Sequence, residues 1–211
     1  MHSELNMDIL FSHYPELKPL KEDLQNALNL FKDTYKNGGK VLVCGNGGSC
    51  ADCEHIVGEL MKGFLSTRPI SEKEKSKFTE LFDDADYFNN NLQGALPAIS
   101  LPSQCGILSA FNNDVDPDLV YAQLAYGYGN ENDLVIGLST SGNSKNVINA
   151  FKAAKAKNMK TLGFCGKNQC KMDEICNVVL HAPHTDTYRI QEYHLPMYHW
   201  LCAEIEKVFF K

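Results

Sequence analysis

Apolar residues recur along this chain at two periods. Leu5, Ile9 and Leu10, then Leu17, Leu20, Leu24, Leu28, Phe31 and Tyr35, return at helical intervals over residues 3–37. Pro15 and Pro19 divide them into a short helix and a longer one starting near Pro19 and ended by Gly38-Gly39. A helix ahead of the first strand has no crossover to make, so its apolar face must pack on the sheet or on another subunit. The second pattern is a set of short continuous apolar runs: Lys40–Cys44, Leu96–Leu101, Leu134–Leu138, Thr161–Cys165 and Val178–Ala182. Runs of this kind suit parallel strands covered on both faces. Helical spacing returns between them, over Cys50–Leu65, from a Ser103 cap through Phe111, over Asp118–Tyr128 and over Lys145–Lys157. Five strands alternating with helices predict an α/β three-layer sandwich, with ligands at the carboxyl ends of the strands.

The last helix, Asp186–Lys211, stays apolar through Trp200, Leu201, Ile205 and Phe209, so much of it should be buried. Pro196 removes a backbone hydrogen bond inside it and predicts a kink near Glu192 and Tyr193. Residues 68–93 break the alternation with a charged, helical centre (Glu72–Leu81) and an Asp/Asn-rich tail (Asp83–Asn91). This reads as a solvated surface insertion, with a lid over the site as the alternative.

Two junctions carry candidate chemistry. Cys44-Gly45-Asn46-Gly47-Gly48-Ser49 joins a strand to a helix, and glycines there let the backbone approach an anion at the helix N-terminus. It lacks the Gly-Lys-Ser/Thr ending of nucleoside-triphosphate loops and the last glycine of the dinucleotide fingerprint. The second, Ser139-Thr140-Ser141-Gly142-Asn143-Ser144, offers four hydroxyls within six residues and suits a phosphate monoester. An N-cap with a Ser/Thr turn is its plain alternative. His55 and Glu59 are four residues apart, on one helical face and about 6 Å apart along the axis. Either alone reads as an ordinary interior or solvated residue. Gln191 and His199 lie eight residues apart, about 12 Å along a helix and roughly 80° around it. Bringing them to one site takes long reach, a kink or two subunits.

The length, 211 residues, suits one α/β domain. A net charge of -6 without a basic cluster argues against nucleic acid, so an anionic ligand must be met locally by N–H groups, hydroxyls and helix ends. No apolar run approaches a membrane span and the N-terminus lacks a signal-peptide core, which predicts a soluble cytoplasmic protein. Eight cysteines scattered over strands and helices read as reduced, mostly buried thiols. Cys50-Ala-Asp-Cys53 has redox or zinc spacing without the structural context of either.

Taken together, the Gly/Asn/Ser turn, His55 with Glu59, Asn113-Asp114, the Ser/Thr loop, and Arg189-Ile190-Gln191-Glu192 with a later His199 resemble the phosphoheptose isomerases of the SIS domain superfamily. The resemblance runs in order from about residue 20 to the C-terminus. It implies one SIS domain over residues 1–211, of flavodoxin-like topology, with a helical extension at 1–37 and an insertion at 68–93. It implies a homotetramer with sites at subunit contacts. Ser49, Ser139, Thr140, Ser141 and Ser144 would then hold a sugar phosphate, with Asn46, Gly47, Gly48, Glu59, Asn113, Asp114 and Gln191 lining the rest. His55, Glu59, Gln191 and His199 would surround one Zn2+. Three features depart from the family pattern: Tyr188 where an Asp is usual, the long insertion, and Pro196.

The implied reaction converts sedoheptulose 7-phosphate to D-glycero-D-manno-heptose 7-phosphate through an enediol. It needs a base at carbon and an acid near the oxygens, for which Glu59 and His199 are the candidates. The competing readings are an isomerase of another sugar phosphate, or a non-catalytic SIS adaptor that binds phosphosugars or a replication initiator. A binder needs the Ser/Thr loop but not His55, Glu59, Gln191 and His199 together.

Overall fold

Each strand forms where the apolar run can face two helical layers at once. In the computed structural model, which describes residues 5–210, the strands are β1 (Val41–Gly45), β2 (Ala98–Ser100), β3 (Leu134–Leu138), β4 (Lys160–Cys165) and β5 (Val178–His181). All pair in parallel, in the order β2-β1-β3-β4-β5, the flavodoxin-like arrangement. Val41 and Val43 of β1, with Leu134, Ile136 and Leu138 of β3, point into one core, while Leu42, Cys44 and Val135 point into the other. This two-residue alternation, apolar on both sides, explains why the runs are continuous.

The first core is closed by α1 (Met7–His13), α2 (Lys21–Lys36), α3 (Gly48–Met61) and α10 (Thr187–Phe209). The second is closed by α7 (Val120–Tyr128), α8 (Lys145–Ala156) and α9 (Lys171–Ile175). The N-terminal helices therefore do pack on the sheet layer. Residues 3 and 4 of the predicted first helix, and Lys211 of the last, lie outside the described residues. Between α1 and α2, Pro15–Leu20 form a 3₁₀ segment with Leu17 buried.

Several predicted boundaries change for physical reasons. Helix α3 stops at Met61 instead of Leu65, because the N–H groups of Phe64 and Leu65 turn to the carboxylate of Glu206, at 2.8 Å each. Ser103 does not cap α6 (Cys105–Asp114). Gln104 takes that position, and the Ser103 hydroxyl bonds Glu54 Oε1 and Ser100 Oγ, both at 2.9 Å. Helix α10 runs unbroken from Thr187 to Phe209 through Pro196.

The insertion is mostly exposed and forms two short helices. Glu72–Leu81 is α4, opened by a Ser71/Glu74 capping box, and the Asp/Asn-rich tail forms a further helix, α5 (Ala85–Asn91). Phe78 of α4 stacks on Phe88 of α5 at 5.2 Å. Its ends meet: Pro69 and Gln93 form an antiparallel bridge, and Gly94 N–H donates to Arg68 O at 2.6 Å. Arg68, at its root, is wholly buried, which corrects the reading of this residue as surface.

Candidate active site

Because β1 and β3 are adjacent and parallel, with Gly45 paired to Leu138, both glycine- and hydroxyl-rich loops leave the same edge of the sheet. Asn46 and Asn146 tie them through a reciprocal amide pair, at 2.9 and 3.0 Å. In the first loop Gly47 adopts φ +57, a left-handed conformation suited to glycine. At Gly48 a Cβ would stand 2.5 Å from Gln191 Nε2, so the missing side chain lets α10 bring Gln191 onto the turn. Ser49 is buried beneath.

In the second loop the hydroxyls converge. Ser139 Oγ lies 2.8 Å from Ser144 Oγ and 3.3 Å from Ser141 Oγ, and Ser141 Oγ accepts the Asn143 N–H at 3.2 Å. Ser144 is the N-cap of α8 but makes no side-chain cap bond, so its hydroxyl remains with the cluster. Donors held together at a helix N-terminus, with no charged acceptor among them, suit an incoming oxyanion. A cavity of about 380 Å³ opens beside them, lined by Thr140, Ser141 and Asn143 with Lys167, His184 and Thr187.

The titratable residues gather along the contact between α3 and α10. His55 Nε2 lies 3.2 Å from Glu59 Oε1 and 3.4 Å from His199 Nε2. Burial, with His55 acting in the same direction, lowers His199 below the ordinary histidine range against the opposing pull of Glu59. On the far side of the His55 ring the Tyr198 hydroxyl bonds Asp52 Oδ1 at 3.1 Å and His55 Nδ1 at 3.0 Å. Tyr198 has one hydroxyl proton. Given to Asp52, it leaves the tyrosine oxygen to accept from His55 Nδ1–H, and all three groups are satisfied. His55 Nε2 is then the acceptor nitrogen, and His199 Nε2–H can donate to it at 3.4 Å.

Two imidazoles and a carboxylate are ordinary donors for zinc. Their chemistry suits a divalent ion, but among the described residues no group of three or more His, Cys, Asp or Glu side chains is placed to hold one. Gln191 stands at Gly48 instead of joining them. Asn113 and Asp114, at the exposed end of α6, are hydrogen-bonded to each other at 2.9 Å. The thiol pair at the start of α3 does not act together: Cys53 is buried and bonds Ser49 O at 3.0 Å, and all eight cysteines are free.

The sequence reading missed Asp52, Tyr198 and Asn146. Asp52 was findable, since it lies three residues before His55 and seven before Glu59, on the same helical face. Tyr198 and Asn146 act through partners 146 and 100 residues away, which no local pattern announces.

Two segments, residues 15–84 and 117–197, match the SIS domain family. The first contains β1 with its loop and α3, the second β3 to β5 with the Ser/Thr loop, and they lie side by side on one sheet. The chain is 38% identical over 194 residues to a phosphoheptose isomerase of Campylobacter jejuni, covering 92% of this chain and 91% of that one. The chain belongs to the phosphoheptose isomerase family. Solved structures agree. A phosphoheptose isomerase of Neisseria gonorrhoeae superposes with a TM-score of 0.72 at 31% identity, and one from Francisella tularensis with 0.76 at 26%. Each alignment covers 92% of this chain and 91% of the other. Like these relatives this protein is an isomerase, and among the described residues no helix is long and apolar enough to cross a membrane.

Proposed function

We propose that this isomerase interconverts sedoheptulose 7-phosphate and D-glycero-D-manno-heptose 7-phosphate through an enediol. The observation that carries the reading is the meeting of Glu59 and His199 at His55, on the helix that follows the first phosphate-facing loop. Ser139, Thr140, Ser141 and Ser144, with Ser49, hold the phosphate, and Asn46, Gly47, Gly48 and Gln191 line the approach to it. Glu59 takes the C1 proton of the open-chain ketose and returns it to C2. His199 protonates the ring oxygen during opening and passes a proton between O1 and O2. The partly exposed face of His55 leaves room for the sugar end of the substrate, its side chain being 43% accessible.

A divalent ion, zinc by donor type, belongs to the same reading. His55, Glu59 and His199, with Gln191 if it swings from Gly48, would hold it, and when bound it polarises the substrate carbonyl. A homotetramer that completes each site across a contact belongs to the same reading, since Gln191 stands at Gly48 and not beside His55. Helix α6 supports this too: it buries none of its residues, and Ile107 is exposed on it. Asn113 and Asp114 reach a site by that route. Free thiols accord with a cytoplasmic location.

The test incubates purified protein, with and without zinc, with sedoheptulose 7-phosphate and follows the aldose product. Turnover lost in Glu59→Gln and His199→Ala is expected. Well-folded, metal-loaded protein that turns over no ketose phosphate would return the chain to the binding class.

A further inference from the structure

Arg68 and Glu206 form an ion pair with no access to water. Arg68 Nε donates to Glu206 Oε1 at 2.7 Å, and the two side chains are 0% and 2% exposed. Removing two charges from water is expensive, and an apolar pair of the same volume is often as stable. The pair's value therefore lies in the geometry it fixes, and every remaining polar atom of it is committed. Arg68 Nη1 donates to Leu60 O at 2.6 Å and Nη2 to Glu59 O at 2.9 Å. Glu206 also accepts the backbone N–H groups of Phe64, Leu65 and Ser66, at 2.8, 2.8 and 3.1 Å. The guanidinium lies 4.8 Å from the centre of the Phe210 ring.

These bonds fall at a weak point of the fold. Glu59 belongs to the last turn of α3, which ends at Met61. Carbonyls of a last turn have no intrahelical partner, and such turns fray unless something caps them. Arg68 caps the carbonyl of Glu59 itself and that of the next residue. On the other side, Glu206 and His199 are seven residues apart on α10, two turns along the same face. The Phe64 N–H bound by Glu206 fixes a residue whose ring packs on the His199 ring at 5.5 Å.

We propose that Arg68 and Glu206 are positioning residues for the isomerase reaction: from beneath, one pair sets the place of Glu59 through its backbone and of His199 through Phe64. The claim rests on Glu59 and His199 carrying the proton transfers. It does not involve the phosphate seat, so it predicts an effect on turnover alone.

The test is a kinetic cycle on the full-length protein. Arg68→Lys keeps the charge but not the planar fork that reaches a carboxylate and two carbonyls together. With folding checked by circular dichroism and thermal melting, kcat is expected to fall about tenfold with KM for the sugar phosphate within about twofold. In a Glu59→Gln background the same change should cost the residual rate clearly less than tenfold, since of the two groups it positions only His199 remains. An unchanged kcat in Arg68→Lys, or an equal loss in both backgrounds, overturns the proposal. A wild-type rate in Glu59→Gln alone overturns it differently, by removing the base. If Arg68→Lys does not fold, Phe64→Leu carries the test, because it leaves the ion pair in place. A several-fold fall in kcat with unchanged KM is expected there, and an unchanged kcat overturns the His199 arm and with it the paired role.

Discussion

The Ser/Thr loop and the His55–Glu59–His199 cluster solve opposite problems. The loop gathers its groups within six consecutive residues, on a turn whose shape follows from local hydrogen bonds among Ser139, Ser141 and Ser144. The cluster joins residues 144 positions apart, and depends on α3 lying against α10. Binding a phosphate calls for many equivalent weak donors, each replaceable by a neighbour. Moving a proton calls for a few groups at fixed separation, and long-range packing supplies that rigidity at the cost of dependence on the whole core.

Substitutions on the two sides should therefore separate cleanly in kinetics. The largest effect is expected for Glu59→Gln, about a thousandfold in kcat with KM little changed, measured as aldose formation. A comparable rise in KM would break the contrast. Ser141→Ala and Ser144→Ala should each raise KM for the sugar phosphate by about tenfold and leave kcat close to wild type, as expected for loss of one hydrogen bond to a charged group. A purely kcat effect there would show the loop taking part in chemistry. Tyr198→Phe sharpens the cluster side: it strips the hydroxyl between Asp52 and His55, and should lower kcat several-fold and destabilise the fold by about 1–2 kcal/mol in a denaturant titration.

The smallest effect on turnover concerns His194, which sits on α10 between Gln191 and His199 and ties the helix to β4 through Cys165 O at 3.2 Å. Burial lowers its pKa from 6.5 to about 4. As pH falls through 6.5 the unfolded chain takes a proton there that the folded chain refuses until about pH 4. Stability is therefore full above pH 6.5 and declines across that window, by up to about 3 kcal/mol for this group. Thermal melts from pH 7.5 to 4.5 should show the decline, and His194→Gln should flatten it. Glu206 adds a second, more acidic loss. Burial pushes its carboxyl up, but the Phe64 N–H, Arg68 and the Leu65 N–H outweigh burial and hold it below the usual range. Its contribution is complete above the ordinary glutamate pKa and disappears as pH falls through the lowered value.

What could be read from the sequence divides along the same line. β3 falls on the predicted Leu134–Leu138 and α4 on Glu72–Leu81, because an apolar run and a capped charged helix are local signals. The parallel sheet followed from alternation, and the shared edge of the two loops followed from parallel strands; the order β2-β1-β3-β4-β5 was implied only by the resemblance. Distant partners were not legible. A stretch rich in charge reads as solvated, so nothing local marked Arg68 as buried, and only the fold brings Glu206 to it. The same pair ends α3 four residues early, which helical periodicity alone cannot foresee.

The meeting of Pro69 with Gln93 at the root of the helical hairpin has an architectural consequence. Entry and exit of that excursion are clasped together where it leaves the body of the protein, so the sheet is indifferent to what is strung between them. The hairpin can therefore be lengthened, shortened or redecorated with its attachment to the body unchanged.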